Sequence, residues 1–238
     1  VDASDGKPGS FDSRLLLETE PHRALEGMLL AASVVGAREC WLYLGAEHRT
    51  CAAVLEKELA ALQASGLLSP AADAGGEPGY RLHLLRSGGR RSWGEETALL
   101  EAIEGRKAQP RFASHPDSAK GLFGRPTLVQ GVQTLSWVPR ILENGPDWFR
   151  LQGRAGCVGS RLWCVSGHVA RPGGYVAPLG STARELMQQY AGGMSGGLEN
   201  PLGAPALYLY RGGKDTFFRL HGTDEPDSIG GAVSSGCI

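Results

Sequence analysis

The chain has 238 residues, a formal net charge of −1, 42% hydrophobic and 21% charged residues. That mixture can bury a core, and it excludes a disordered polyelectrolyte, a collagen and a coiled coil. The near-neutral charge gives no electrostatic reason to expect a nucleic-acid partner, and 35 glycines with 14 prolines announce many turns.

In chain order, Asp2 to Gly6 reads as a loop. Gly6-Lys7-Pro8-Gly9-Ser10 contains Gly-Lys without the rest of a phosphate-loop pattern, and reads as a turn. A helix is predicted over Pro21–Val35. Pro21 suits a first-turn position, Leu25, Met28, Leu29 and Ala32 recur at helical spacing, and Gly36 ends it. Glu39 to Leu44 reads as a strand with Cys40 a small buried hydrophobe. A second helix is expected from about Thr50 to Ala64, with Leu55, Leu59 and Leu62 on its apolar face, then a strand over Tyr80 to Leu85. Helix, strand, helix, strand predicts an α/β layer with parallel crossovers.

A short helix through Leu99, Leu100 and Ile103 follows, then an irregular stretch from Arg111 to Thr127 and a helix near Thr134 to Glu143 despite Pro139. Near Gly153 the composition shifts. Arg161 to Val169 and Gly174 to Ala177 read as strands, and Thr182-Ala183-Arg184-Glu185 is a capping box opening a helix to Tyr190. Gly192 to Gly197 is a glycine-dense seam, and Ala206 to Tyr210 with Thr216 to Leu220 reads as a hairpin beyond it. No apolar run approaches the length of about 18 residues that a membrane helix needs, no secretory signal is visible, and both ends read as cut. The cysteines are Cys40, Cys51, Cys157, Cys164 and Cys237, with no C-x-x-C pair. Neither a disulfide framework nor zinc or iron–sulfur ligand spacing is expected, and no metal ligand set is assigned. His22 and His48 read as exposed, and Trp41, Trp137 and Trp163 as core or interface anchors.

Two stretches carry chemistry. Gly94-Glu95-Glu96-Thr97 pairs a glycine that allows close ligand approach with two carboxylates at a helix start. Either the carboxylates cap the helix or they hydrogen-bond a ribose or nicotinamide; taken alone, the four residues favour the cap. The second is His221-Gly222-Thr223 with Ser234-Ser235-Gly236-Cys237. A cysteine nucleophile needs a base to form thiolate and backbone donors for an oxyanion, and a hairpin could bring His221 to Cys237.

Flanking segments extend both. Pro8 to Phe11, Glu20 to Met28, Gly94 to Leu99, Glu104-Gly105-Arg106, Gln109-Pro110-Arg111, Gly121 to Thr127 and Gly145 to Phe149 occur in an order that resembles the flavin-binding, NADH-oxidising subunit of respiratory complex I. Relatives of that family serve NAD-linked hydrogenases and formate dehydrogenases. Cys164 to Val169 and Arg171 to Tyr175 continue the resemblance into a β-grasp (SLBB-type) domain, to about residue 194. The resemblance implies FMN and NADH as cofactors, hydride transfer to flavin, the other subunits of an NADH-oxidising complex as partners, and a cytoplasmic, membrane-associated location. It implies cofactor-binding roles for Asp5, Gly6, Gly94, Glu95 and Glu96.

The resemblance has departures. The family's Asn-Ala-Asp-Glu-Gly-Glu segment falls on Asp2 to Lys7, so a glutamate becomes Lys7. Its phosphate-holding Asn-Asn pair falls on Gln130-Gly131, and its Lys-Pro-Pro-Phe-Pro loop on Ala113 to Asp117. Its glycine-rich flavin loop would precede Val1, and its four-cysteine cluster motif is not found. These departures predict that FMN binds weakly or not at all.

Gly197 to Ala204, Ala206 to Tyr210, His221-Gly222-Thr223, Ser228-Ile229-Gly230 and Ser235-Gly236-Cys237 resemble the catalytic half of an L,D-transpeptidase. That implies Cys237 as nucleophile, His221 as base, Gly222 as the orienting position, Ser235 as the motif serine, peptidoglycan stem peptides as substrate, and a periplasmic or cell-wall location. The family's arginine would be residue 239, so no transpeptidase activity is expected from the chain alone. The expected architecture is α/β. It comprises a partial flavin-binding α/β sandwich (1–152), an SLBB-like β-grasp module (153–194) and a truncated all-β transpeptidase fragment (195–238). A non-catalytic α/β interaction module is the remaining alternative.

Overall fold

The computed structural model describes residues 1–7, 9–68, 79–87, 94–112, 120–154 and 156–193, and the backbone of 206–211 and 214–221. Contacts divide the chain into two units, Val1–Cys164 with Gly174–Ser181, and Val165–Gly173 with Thr182–Ile238.

In the first unit three parallel strands lie in the order β1 (Asp2–Ala3), β2 (Glu39–Leu44), β3 (Arg81–Arg86). Helices α1 (Asp12–Thr19) and α2 (Pro21–Val35) connect β1 to β2, and α3 (Arg49–Ala64) lies between β2 and β3. Alternation along β2 assigns its two faces. Cys40, Leu42 and Leu44 join Leu17, Leu25, Met28 and Leu55 in one core, whereas Tyr43 joins Leu99 and Ala102 of α4 (Glu96–Ile103) in another. The sheet therefore has helices on both faces, as parallel sheets require. Burying each of Leu17, Leu44, Leu55 and Leu99 contributes about 1.5–3 kcal/mol.

Helix α5 (Val132–Asn144) keeps Pro139 inside it and packs on α2. The closest approach is at Gly27, where a Cβ would stand 2.0 Å from the Leu135 carbonyl oxygen; only glycine lets the two backbones meet so closely. After α6 (Pro146–Arg150), β4 (Ser160–Val165) pairs with β5 (Gly173–Pro178). The expected strand over Arg161 to Val169 thus ends at Val165. His168, beyond it, is exposed.

In the second unit, the capping box at Thr182 forms as expected: Thr182 Oγ1 accepts from Glu185 N at 3.2 Å, and Glu185 Oε2 accepts from Thr182 N at 2.8 Å. Helix α7 (Ala183–Glu185) runs on into a wider π turn over Leu186–Tyr190. β6 (Ala206–Arg211) and β7 (Lys214–His221) form an antiparallel pair. No helix among the described residues is long and apolar enough to cross a membrane.

Two sequence expectations are corrected. Asp2–Ala3 is a strand, because its backbone pairs with Tyr43 and Leu44. His48 is buried at 7% exposure rather than solvated, because at the N-cap of α3 its ring lies beside Asp5 and Gly45; His22 is exposed and pairs with Glu58 at 3.0 Å.

Candidate functional site

Parallel pairing sends the carboxyl ends of β1, β2 and β3 to one edge of the sheet. Backbone and hydroxyl bonds tie these ends together. Ser87 N donates to Leu44 O at 2.8 Å, and Ala46 N donates to Ser87 Oγ at 3.0 Å. Ligands of parallel sheets bind in the crevice outside this edge.

The β1–α1 loop supplies the first wall. Asp5 adopts a left-handed backbone (φ 45°). Its side chain is only 4% exposed. Oδ1 accepts from Ser13 N at 3.1 Å and Oδ2 from Arg14 N at 2.9 Å, so this carboxylate caps α1. His48 Nε2 stands 3.9 Å from Asp5 Oδ2, beyond hydrogen-bond reach, and its buried Nδ1 has no partner.

The second wall is the start of α4. Gly94 has φ +70°, and a Cβ there would stand 3.2 Å from Lys7 Cε. The aliphatic stem of Lys7 therefore lies across a glycine far along the chain, joining the Asp5–Gly6–Lys7 loop to the Gly94–Glu95–Glu96 turn. Glu95 accepts from Thr97 N at 3.1 Å and from Ala98 N at 2.6 Å, with further bonds from Thr97 Oγ1. Burial raises its carboxyl, but the Ala98 and Thr97 hydrogen bonds outweigh that and hold it below the usual range. Glu96 is exposed. Glu95 therefore takes the capping role, and Glu96 is left to solvent.

A third backbone end lies on the far side of β1. Gln130 O accepts from Asp2 N at 3.0 Å, and Gly131 begins α5 without a side-chain cap. A Cβ at Gly131 would meet nothing within 4 Å. Gln133 Nε2 donates to Asp12 Oδ2 at 2.8 Å and to Leu162 O at 3.0 Å, bracing this helix start.

The opposite end of α4 is different. Glu101 and Glu104 are held by Arg106 and Arg111, and Arg111 is 9% exposed. Arg111 Nε donates to Glu101 Oε1 at 2.6 Å, and its backbone N–H donates to Thr97 Oγ1 at 2.8 Å. Hydrogen bonds from Arg106, then Arg111, outweigh burial and hold the Glu101 carboxyl down to about 2. A cleft of about 850 Å³ opens here, edged by Arg106, Phe112 and Phe123.

The structure thus brings together Asp5, Gly6, Gly94, Glu95 and Glu96. It adds Lys7 and His48, which the sequence does not mark as site residues. For Lys7, a charge opposite to that of the glutamate in the resembled segment is the one available signal. Of the second constellation, Gly222, Ser235 and Cys237 lie outside the described residues, and His221 is described in its backbone alone. Ala113 to Asp117 also lie outside them.

A family model described as the Nuo51 FMN-binding domain matches residues 1–140. The chain is 37% identical over 191 residues to an NADH-quinone oxidoreductase subunit of Rhizobium meliloti (strain 1021), covering 80% of this chain and 45% of that relative. It is 36% identical over 200 residues to an NADH-quinone oxidoreductase subunit of Rickettsia felis, covering 84% and 47%. Among solved structures, the NAD+-reducing NiFe-hydrogenase in its H2-reduced state is similar with a TM-score of 0.67 and 35% identity, over 80% of this chain and 32% of that one. The chain spans just under half the length of these curated relatives.

Proposed function

The chain belongs to the Nuo51 FMN-binding domain family, and from that premise we propose that it supplies the flavin-holding core of an NADH-oxidising subunit in a larger electron-transfer complex. The observation that carries this reading is the meeting of the Asp5–Lys7 loop with the Gly94–Glu96 turn at the carboxyl edge of a parallel sheet.

The residues present fit a flavin nucleotide by their backbone. The face of Gly94 without Cβ is taken by the Lys7 stem, and the start of α5 at Gly131 offers open space with no side-chain cap, the arrangement that suits a phosphate. Gly6 would admit the cofactor closely, and Gly94 would do so with the Lys7 stem drawn aside. Asp5 and Glu95 would hold the shape of the two walls through the amides they cap, and Glu96 would present the carboxylate facing solvent. Bound FMN would supply the chemistry of hydride acceptance from NADH and electron release. The chain's own task is to orient that cofactor and hold it within small tolerances. Having Gln130-Gly131 in place of the resembled Asn-Asn removes side-chain donors, so phosphate binding falls to the α5 amides and FMN affinity is expected to be weakened.

We assign residues 153–194 to an SLBB-like β-grasp module, supported by the β4–β5 pair and the capped helix after it. A first domain over 1–152 and a separate C-terminal segment over 195–238 complete the proposed division. None of the relatives named above supports the transpeptidase reading of the last segment. The test is FMN titration followed by flavin fluorescence quenching, with NADH then added to read bleaching of flavin absorbance. Saturable quenching and NADH-dependent bleaching are expected; no saturable quenching would overturn the reading.

A further inference from the structure

Lys7, in the loop at the carboxyl edge of the sheet, is an exposed cation, its stem 3.2 Å from where a Gly94 side chain would begin. Neither Asp5 nor Glu95, which flank it on the two walls, pairs with it, and the third acid there, Glu96, faces solvent. Asp5 turns its carboxylate inward onto the Ser13 and Arg14 amides, and Glu95 spends both oxygens on Thr97 and Ala98. Among the described residues Lys7 has no ion pair. The start of α4 beside it adds the partial positive charge of a helix terminus, though Glu95 already occupies its first amides. An exposed ammonium whose stem rests against a glycine, at the edge where parallel sheets bind nucleotides, matches a phosphate better than any other group a nucleotide carries.

We propose that Lys7 is a phosphate-binding residue of this crevice, contacting a phosphate of the nucleotide it holds. The assignment rests on the function proposed above and adds the group that reads the ligand's charge. Two nucleotides could supply that phosphate, the flavin or the dinucleotide, and matched pairs of probes separate them. FMN is compared with riboflavin, and ADP-ribose with adenosine, by calorimetric titration of the full chain and of Lys7→Gln, Lys7→Arg and Lys7→Glu. Lys7 is exposed, so these variants should fold as the parent does, which circular dichroism checks.

The expected result is about a tenfold loss of affinity for one phosphate-bearing probe in Lys7→Gln, as removal of one charge-assisted hydrogen bond implies. A larger loss is expected in Lys7→Glu and recovery in Lys7→Arg, with the phosphate-free partner unaffected. The affinity of the parent for that probe should also fall with added salt more steeply than that of Lys7→Gln. Loss confined to FMN assigns the flavin phosphate; loss confined to ADP-ribose assigns the dinucleotide. Equal affinities of parent and Lys7→Gln for both phosphate-bearing probes overturn the proposal and leave the proposed function standing. Failure of the parent to bind any of the four probes overturns both.

Discussion

Helix α4 begins with Glu95 and Glu96 and ends with Glu101 and Glu104, and the two acidic pairs meet different partners. At the start, Glu95 binds backbone amides of its own first turn, Glu96 faces solvent, and Gly94 leaves a bare surface under Lys7. At the end, both acids are taken by Arg106 and the buried Arg111, and Glu104 Oε1 also accepts from Phe123 N at 2.7 Å. One end keeps an exposed carboxylate and an exposed cation for a ligand; the other spends its charges on itself. A pair of glutamates on a helix is therefore not a functional signal until its partners are known.

The largest effect expected from this contrast is at the closed end. Arg111→Leu removes the less exposed of the two cations that hold Glu101 and Glu104, leaving Arg106 to both acids. Losing these charge-assisted hydrogen bonds costs about 2–3 kcal/mol, readable by urea denaturation. A loss under about 1 kcal/mol would mean that the network is a solvated surface pair, and the contrast would break. At the open end, Glu95→Ala should cost about 1 kcal/mol as a lost helix cap, while Glu95→Gln should keep part of that stability. If Glu95→Ala cost as much as Arg111→Leu, the two ends would be alike.

The smallest effect is in acid. The Glu101 carboxyl is depressed in the folded state from 4.5 to about 2, so the folded state binds this proton less readily than the unfolded one. Its stabilising contribution is complete above about pH 4.5 and is lost as pH falls towards 2. Denaturant midpoints measured across that window should fall for the parent and fall less for Glu101→Gln.

Much of the first unit is legible in the chain. Helix α2 and strand β2 have the expected bounds because their periodicity, Pro21 and Gly36 are local signals. Helix α1 carries no such signal. Its cap is Asp5, eight residues before Ser13 and outside any capping-box spacing, and the run Leu15-Leu16-Leu17 shows no helical period. β1 is two residues long and exists only through pairing with β2. His48, between Glu47 and Arg49, looks solvated in sequence, yet it is buried beside Asp5 and Gly45. The Gly94–Glu96 turn is visible as a motif, but its Lys7 neighbour is a tertiary contact that no local pattern encodes.

Hydrogen exchange of the full chain with and without FMN tests most directly whether the open end of α4 and the β1–α1 loop together hold the cofactor. Slowed exchange is expected at Asp2 to Lys7 and at Gly94 to Ala98, with Arg106 to Arg111 unchanged. Protection confined to Arg106 to Arg111, or no protection at a saturating flavin concentration, would contradict it.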